Sequence, residues 1–173
     1  YGEDGNDSLT GEGASAFLDG GAGDDLLVAA GDDVRMQGGS GLGNDTYVIT
    51  ARTRVADVDP NTPGQGFDVI RFADGILPSN IRGKRVNGDD LELSVLRPSD
   101  GTIVSTVLLR RFFNGVGDQV VDEVRFDAAP GTVWSRSQLA ALSHVGTDGA
   151  ETLTGSFFND VITGGAGDDE LHG

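Results

Sequence analysis

One nine-residue phrase constrains this chain more than any other feature. Gly20-Gly21-Ala22-Gly23-Asp24-Asp25-Leu26-Leu27-Val28 returns nearly letter for letter as Gly164-Gly165-Ala166-Gly167-Asp168-Asp169-Glu170-Leu171-His172. Both fit G-G-x-G-x-D-x-U-x, with U a large apolar residue. The eighth position keeps time through Leu9, Leu18, Leu27 and Met36, then through Tyr47 after two extra residues. A second train runs Leu153, Ile162, Leu171. A fixed short period marks a stacked repeat, because each unit buries its apolar residue only against its neighbours. A flexible Gly/Asp linker would not hold an aliphatic residue on a nine-residue beat. The period therefore predicts an all-β chain with parallel β-roll (β-helix) blocks.

Charge follows the repeats. Residues 1–48 carry ten acids and one Arg, and residues 146–173 carry six acids and no Lys or Arg. Residues 49–145 carry twelve acids and eleven bases. The net charge of −16 thus sits mostly on the repeats. Such a surface repels nucleic acid and anionic membrane and suits a small hard cation. With no cysteine there is no disulfide framework, and a metal is an alternative staple for a domain short of core. No apolar run reaches the ~20 residues of a membrane span, and no signal peptide opens the sequence. The repeat rhythm at both ends suggests a piece of a longer protein.

Between the blocks the pattern changes. Asp68–Phe72, Asp90–Leu96, Thr106–Arg110 and Val120–Phe126 alternate apolar and polar residues, with turns such as Asp74-Gly75 and Asn87-Gly88 between them. That predicts an antiparallel β-rich domain. Ser135-Arg136-Ser137-Gln138 has capping-box spacing and predicts one short helix through about Leu142. The expected domains are a roll at 1–48, a β-rich capping domain at 49–145 and a second roll at 146–173. The only histidines are His144 and His172, and there is no cysteine or serine nucleophile elbow, so catalysis by this chain is not expected. Asp89 and Asp90 read as turn and strand residues; Trp134, Phe112 and Phe113 read as core or cap.

The nonapeptides resemble the RTX, or haemolysin-type, calcium-binding repeat family. The order D-x-I-x-F, G-D-D-L-x-L, R-F-F and G-T-x-W across residues 46–142 resembles the haemolysin-type calcium-binding-related domain found between RTX blocks, with Ala129-Pro130-Gly131-Thr132 in place of the usual D-G-T. The resemblance implies Ca²⁺ between repeats eighteen residues apart. The first loop would give carbonyls from positions two and four and the sixth-position carboxylate. The later loop would give carbonyls from positions one and three and the fifth-position side chain. Six such oxygens suit Ca²⁺ better than Mg²⁺.

Carried onto this chain, the first site takes the carbonyls of Glu3, Gly5, Gly20 and Ala22 and the carboxylates of Asp7 and Asp24. The second takes Gly21, Gly23 and Asp25, facing a longer loop in which Ser40, Leu42, Asn44 and Asp45 are candidates. The third takes Thr147, Gly149, Gly164 and Ala166 with Glu151 and Asp168. Asp160 and Asp169 stand at further sixth positions. On the opposite edge Ala16 and Val34 replace the sixth-position acid, so that edge is expected to bind calcium weakly or not at all. The resemblance further implies a secreted, extracellular, monomeric module, exported by type I secretion machinery and folding on calcium outside. The alternatives are an adhesin or carbohydrate-binding module, or the tail of a secreted protease, lipase or epimerase with catalysis elsewhere.

Overall fold

The computed structural model describes residues 1–39, 43–59, 66–114 and 121–173. The end of each early repeat is extended: β1 (Ser8–Gly13), β2 (Ala16–Asp19), β3 (Leu26–Gly31), β4 (Asp33–Gln37) and β5 (Thr46–Ile49). Odd strands stack in one sheet and even strands in the other, all in parallel. Leu9 sits over Leu27 and Leu27 over Tyr47, while Leu18 sits over Met36. The nine-residue beat is thus half a turn of a β-roll, and its eighth-position side chains fill the space between the sheets. Leu27, Met36 and Tyr47 are fully buried.

The ladder continues past Val48. β6 (Val55–Asp59) stacks on β4, and β7 (Val69–Phe72) on β5. A hairpin follows, β8 (Ile81–Val86) and β9 (Asp90–Leu96), and then β10 (Ile103–Leu109) returns parallel to β6. β11 (Glu123–Phe126) stacks parallel on β7, and β12 (Val133–Ser135) closes that sheet antiparallel. The sheet orders are β1-β3-β5-β7-β11-β12 and β2-β4-β6-β10-β9-β8.

Two features of the middle of the chain bear on the edge described below. Antiparallel pairing is confined to β8–β9–β10 and β11–β12, whereas the segments at 68–72 and 123–126 are parallel rungs of the roll. The parallel ladder runs on from β3 through β5 to β7. The cause is local: Asp45-Thr46-Tyr47-Val48-Ile49, Asp68-Val69-Ile70-Arg71-Phe72 and Asp122-Glu123-Val124-Arg125-Phe126 share one shape, D-x-U-x-U. Their apolar pairs stack in register, Tyr47 on Ile70 on Val124 and Ile49 on Phe72 on Phe126. Phe72 stacks on Phe126 with ring centroids 5.5 Å apart, and Trp134 meets Phe126 edge-on at 4.8 Å.

The short helix forms where expected. In α1 (Arg136–Ala141), Ser135 accepts the Gln138 N–H and Gln138 returns to the Ser135 N–H. It buries Leu139 and Ala140 and runs into a 3-10 turn, Leu142–His144. The second block follows as β13 (Thr152–Thr154) and β14 (Glu170–His172), with Leu153 over Leu171. Among the described residues no helix is long and apolar enough to cross a membrane.

Phe72→Ala should cost about 3–5 kcal/mol, because it empties a fully packed layer; Leu171→Ala, at 48% exposure, should cost far less. Urea midpoints in saturating calcium measure the difference, and equal losses would contradict the packing described.

Candidate metal centre

The loops that join the sheets at one edge share a contact. In each repeat with a sixth-position acid, that carboxylate lies against the first-position glycine. The place a Cβ would occupy is 2.5 Å from Asp7 Oδ2 on Gly2, 2.1 Å from Asp25 Oδ2 on Gly20 and 2.0 Å from Asp45 Oδ2 on Gly38. The same holds for Gly146 with Glu151, Gly155 with Asp160 and Gly164 with Asp169. Where the acid is replaced by Val34, the first position is Ala29. A carboxylate at the sixth position therefore requires glycine at the first, while Gly11, opposite Ala16, is held to glycine by apolar neighbours instead.

Carbonyls converge on the same points. Gly20 O is 2.1 Å from the Cβ place on Gly2, beside Asp7 Oδ2, and Gly38 O is 2.6 Å from that on Gly20, beside Asp25 Oδ2. Positions two and four turn their carbonyls toward the next loop: Glu3 O onto Gly21 and Gly5 O onto Gly23. Positive φ makes this possible, 103° at Gly21 and 127° at Gly23, and Glu3 adopts 73° despite its side chain. Glu3 O accepts the Ala22 N–H and Ala22 O accepts the Gly5 N–H, both at 2.7 Å, which leaves each carbonyl a second lone pair.

Two oxygens in this edge, Asp7 Oδ2 and Asp25 Oδ2, are buried without a hydrogen-bond partner. A buried carboxylate oxygen without a donor is costly. Both face the carbonyl of the following rung, which is the donor set a hard oxygen-seeking cation requires. Among the described residues no three acidic or histidine side chains gather as a metal cluster; the oxygens brought together here are carboxylates and backbone carbonyls.

The fifth positions form a second row. Asn6 Oδ1 accepts the Asp24 N–H at 3.0 Å, and Asp24 Oδ1 accepts the Asn44 N–H at 2.8 Å and its side-chain amide at 3.0 Å. Asp24 thus turns one oxygen up to the longer loop. Asn44 Oδ1 in turn accepts the Phe67 N–H. Ser40 and Leu42 lie outside the described residues. On the opposite edge Val34 is fully buried, and the Cβ place on Gly11 is 2.9 Å from Ala16 Cβ and 3.0 Å from Val34 Cγ1. Apolar groups fill the volume that carboxylates occupy on the first edge, while Asp33 is exposed.

The second block repeats the carbonyl stack and differs in its acids. Gly164 O approaches Gly146, Thr147 O approaches Gly165 and Gly149 O approaches Gly167, and Ala166 N–H donates to Thr147 O at 3.2 Å. Glu151, one methylene longer than Asp, folds back onto the Thr147 hydroxyl and N–H, and those bonds hold its pKa below the usual carboxylate range. Asp168 is exposed, and Asp169 Oδ1 accepts the Glu151 N–H at 3.0 Å. Asp160 is closed by the Ser156 N–H at 2.7 Å and its hydroxyl at 2.8 Å. Fully buried His144 stands 3.3 Å from it. Burial opposes its charge, but these partners win and lower its pKa.

Sequence reasoning missed Asp68 and Asp122, which line up with Asp45 along the first edge, and it missed His144. The first two carried a signal in D-x-U-x-U; His144 carried none.

Burial raises the pKa of Asp25, and pushes Asp45 up to about 6 and Asp68 to about 7 against an ordinary 3.8. The native state therefore binds more protons than the unfolded chain between pH about 4 and 7, and without metal its stability should rise as pH falls through that window. The acids with lowered pKa act below it, Asp100 at about 2. In chelator the β signal in circular dichroism should be larger at pH about 5 than at about 7.5. With calcium the trend should reverse, since protons compete for the ligands. A β signal in chelator that falls toward acid would refute this account.

Residues 1–34 and 145–173 match the family model described as RTX calcium-binding nonapeptide repeat, in four copies. No curated protein matches the chain.

Proposed function

We propose, from the match of residues 1–34 and 145–173 to the RTX calcium-binding nonapeptide repeat, that the chain is a calcium-responsive folding module of a secreted protein, with Ca²⁺ held along the first edge of the roll. Asp7 with the carbonyls of Glu3, Gly5, Gly20 and Ala22 forms the leading site, with Asp24 completing it from the next rung. Asp25 with the carbonyls of Gly21 and Gly23 forms the second, with Asn44 and Asp45 on the loop above. Glu151 and Asp168, with the carbonyls of Thr147, Gly149, Gly164 and Ala166, form the third. In that third site Glu151 must leave Thr147 before it reaches an ion.

The observation that carries this reading is the pair of buried, unpartnered carboxylate oxygens, each facing a carbonyl of the next rung. Calcium supplies the positive charge that these oxygens lack. Without it, the acidic rungs repel one another and the chain favours an extended state that suits passage through a narrow export channel. With it, binding free energy becomes folding free energy. Extracellular calcium modules commonly bind at ~10⁻⁴–10⁻³ M, which places the transition between cytosolic and extracellular calcium.

Calcium added to chelated protein should raise the β signal in circular dichroism cooperatively, and Mg²⁺ at the same concentration should do little. Asp7→Ala with Asp24→Ala should remove most of the affinity of the leading site in calorimetric titration. A fully folded repeat region in excess chelator would falsify the proposal.

A further inference from the structure

The acids of the first edge are tied to one another through the backbone. Asp7 N–H donates to Asp25 Oδ1 at 2.8 Å, and Asp25 N–H to Asp45 Oδ1 at 3.0 Å. Asp45 N–H donates to Asp68 Oδ1 at 2.9 Å, and Asp68 N–H to Asp122 Oδ2 at 2.8 Å. The spacing along the sequence is 18, 20, 23 and 54 residues, so the ladder outlasts the nonapeptide period. Its last three members, Asp45, Asp68 and Asp122, lie outside the repeats matched by the family model.

In Asp25 and Asp45 the ladder occupies Oδ1 and leaves Oδ2 against the first-position glycine of the same loop. An aspartate has two free side-chain torsions, and a charge-assisted bond from a fixed N–H settles both. Asp68 is anchored in turn: its carbonyl accepts the Asp122 N–H at 2.9 Å while its own N–H reaches the Asp122 carboxylate.

We infer that Asp68 and Asp122 are positioning residues for calcium in the first block. They touch no ion themselves; Asp68 accepts the Asp45 N–H and Asp122 the Asp68 N–H, so each fixes the backbone of the rung before it, and with it the place from which the Asp45 carboxylate reaches the metal. Outer partners of this kind typically tune metal affinity by ~10–100-fold. The inference rests on the reading that Asp7, Asp25 and Asp45 serve the ions. Its consequence is that the calcium affinity of residues 1–48 depends on β11, far beyond the last recognisable repeat of that block.

The test uses the full chain and terbium as the calcium probe, with emission lifetimes in H₂O and D₂O counting the waters left on the ion. Both tyrosines, Tyr1 and Tyr47, lie in the first block and sensitise terbium there. Asp68→Ala removes the acceptor, whereas Asp68→Asn keeps an oxygen for the Asp45 N–H. The Ala variant should bind about 10-fold more weakly and retain an extra water, and the Asn variant should stay close to the parent on both measures. Asp122→Ala should act in the same direction, and it carries the test alone if Asp68→Ala fails to fold in saturating calcium. Unchanged affinity and water count in a folded Ala variant overturn the inference, and so do equal losses in Asp68→Ala and Asp68→Asn. The Asp7→Ala, Asp24→Ala double variant separates the two readings. If it too binds like the parent, the ligand assignment fails; if it alone loses the site, the ladder fails and the ligands stand.

Discussion

A carboxylate pressed against a glycine Cα, with a carbonyl of the next rung closing on the same spot, is the contact on which the first edge depends. It fixes glycine at the first position, sets the rung spacing at one strand-to-strand step and brings like charges into one buried column. Such a column is unfavourable by itself. Desolvation and mutual repulsion raise the carboxyl pKa values from Asp25 to Asp68, and the bonds from backbone N–H groups return only part of that cost. A proton or a cation must supply the rest. The two conditions that make the acids costly, burial and stacking, are also the ones that a cation site would use.

The opposite edge shows what the same roll does without charge. Gly11, Ala16 and Val34 pack there as an ordinary apolar seam, and Thr50 and Thr53 satisfy the Ala29 carbonyl through their hydroxyls. The outer faces use a third device: Arg110 grips Asp57 with two bonds, at 2.8 and 2.6 Å, and Arg111 pairs with Asp59. Asp57 and Asp59 in the middle of the chain are neutralised by arginine, whereas among the described residues no ion pair is seen at Asp7, Asp25 or Asp45. That division explains why the middle is nearly neutral while the first 48 residues carry −9.

The repeat blocks were legible because an apolar residue on a constant beat has one structural meaning, and the short helix because its cap is local. The continuation of the roll was harder to read. Asp45, Asp68 and Asp122 are spaced by 23 and 54 residues, so no fixed period connects them, and the β8–β9 hairpin interrupts the longer interval. Alternating residues in β7 and β11 fit either pairing direction. Direction was decided by stacking of Tyr47, Ile70 and Val124 between the sheets, a contact that alternation alone does not specify. His144 was opaque for a different reason: its meeting with Asp160 depends on where α1 turns, which depends in turn on the packing of Leu139 and Leu142 against the roll.

The two blocks reach the same backbone stack by different electrostatics. In the first, the sixth-position acids keep an unpartnered oxygen. In the second, hydroxyls at the second position, Thr147 and Ser156, close onto Glu151 and Asp160, and no residue from 146 to 163 takes positive φ. A loop whose acid is satisfied from within gains less from a cation than one whose acid is not, because the ion must first break those bonds. Glu151 also faces Lys84 of the edge strand β8, which favours its charged form, and Arg85 reaches the Gly155 carbonyl at 3.0 Å. Protein groups therefore offset part of the charge of these loops. Order in the second block is accordingly coupled to the segment that precedes it.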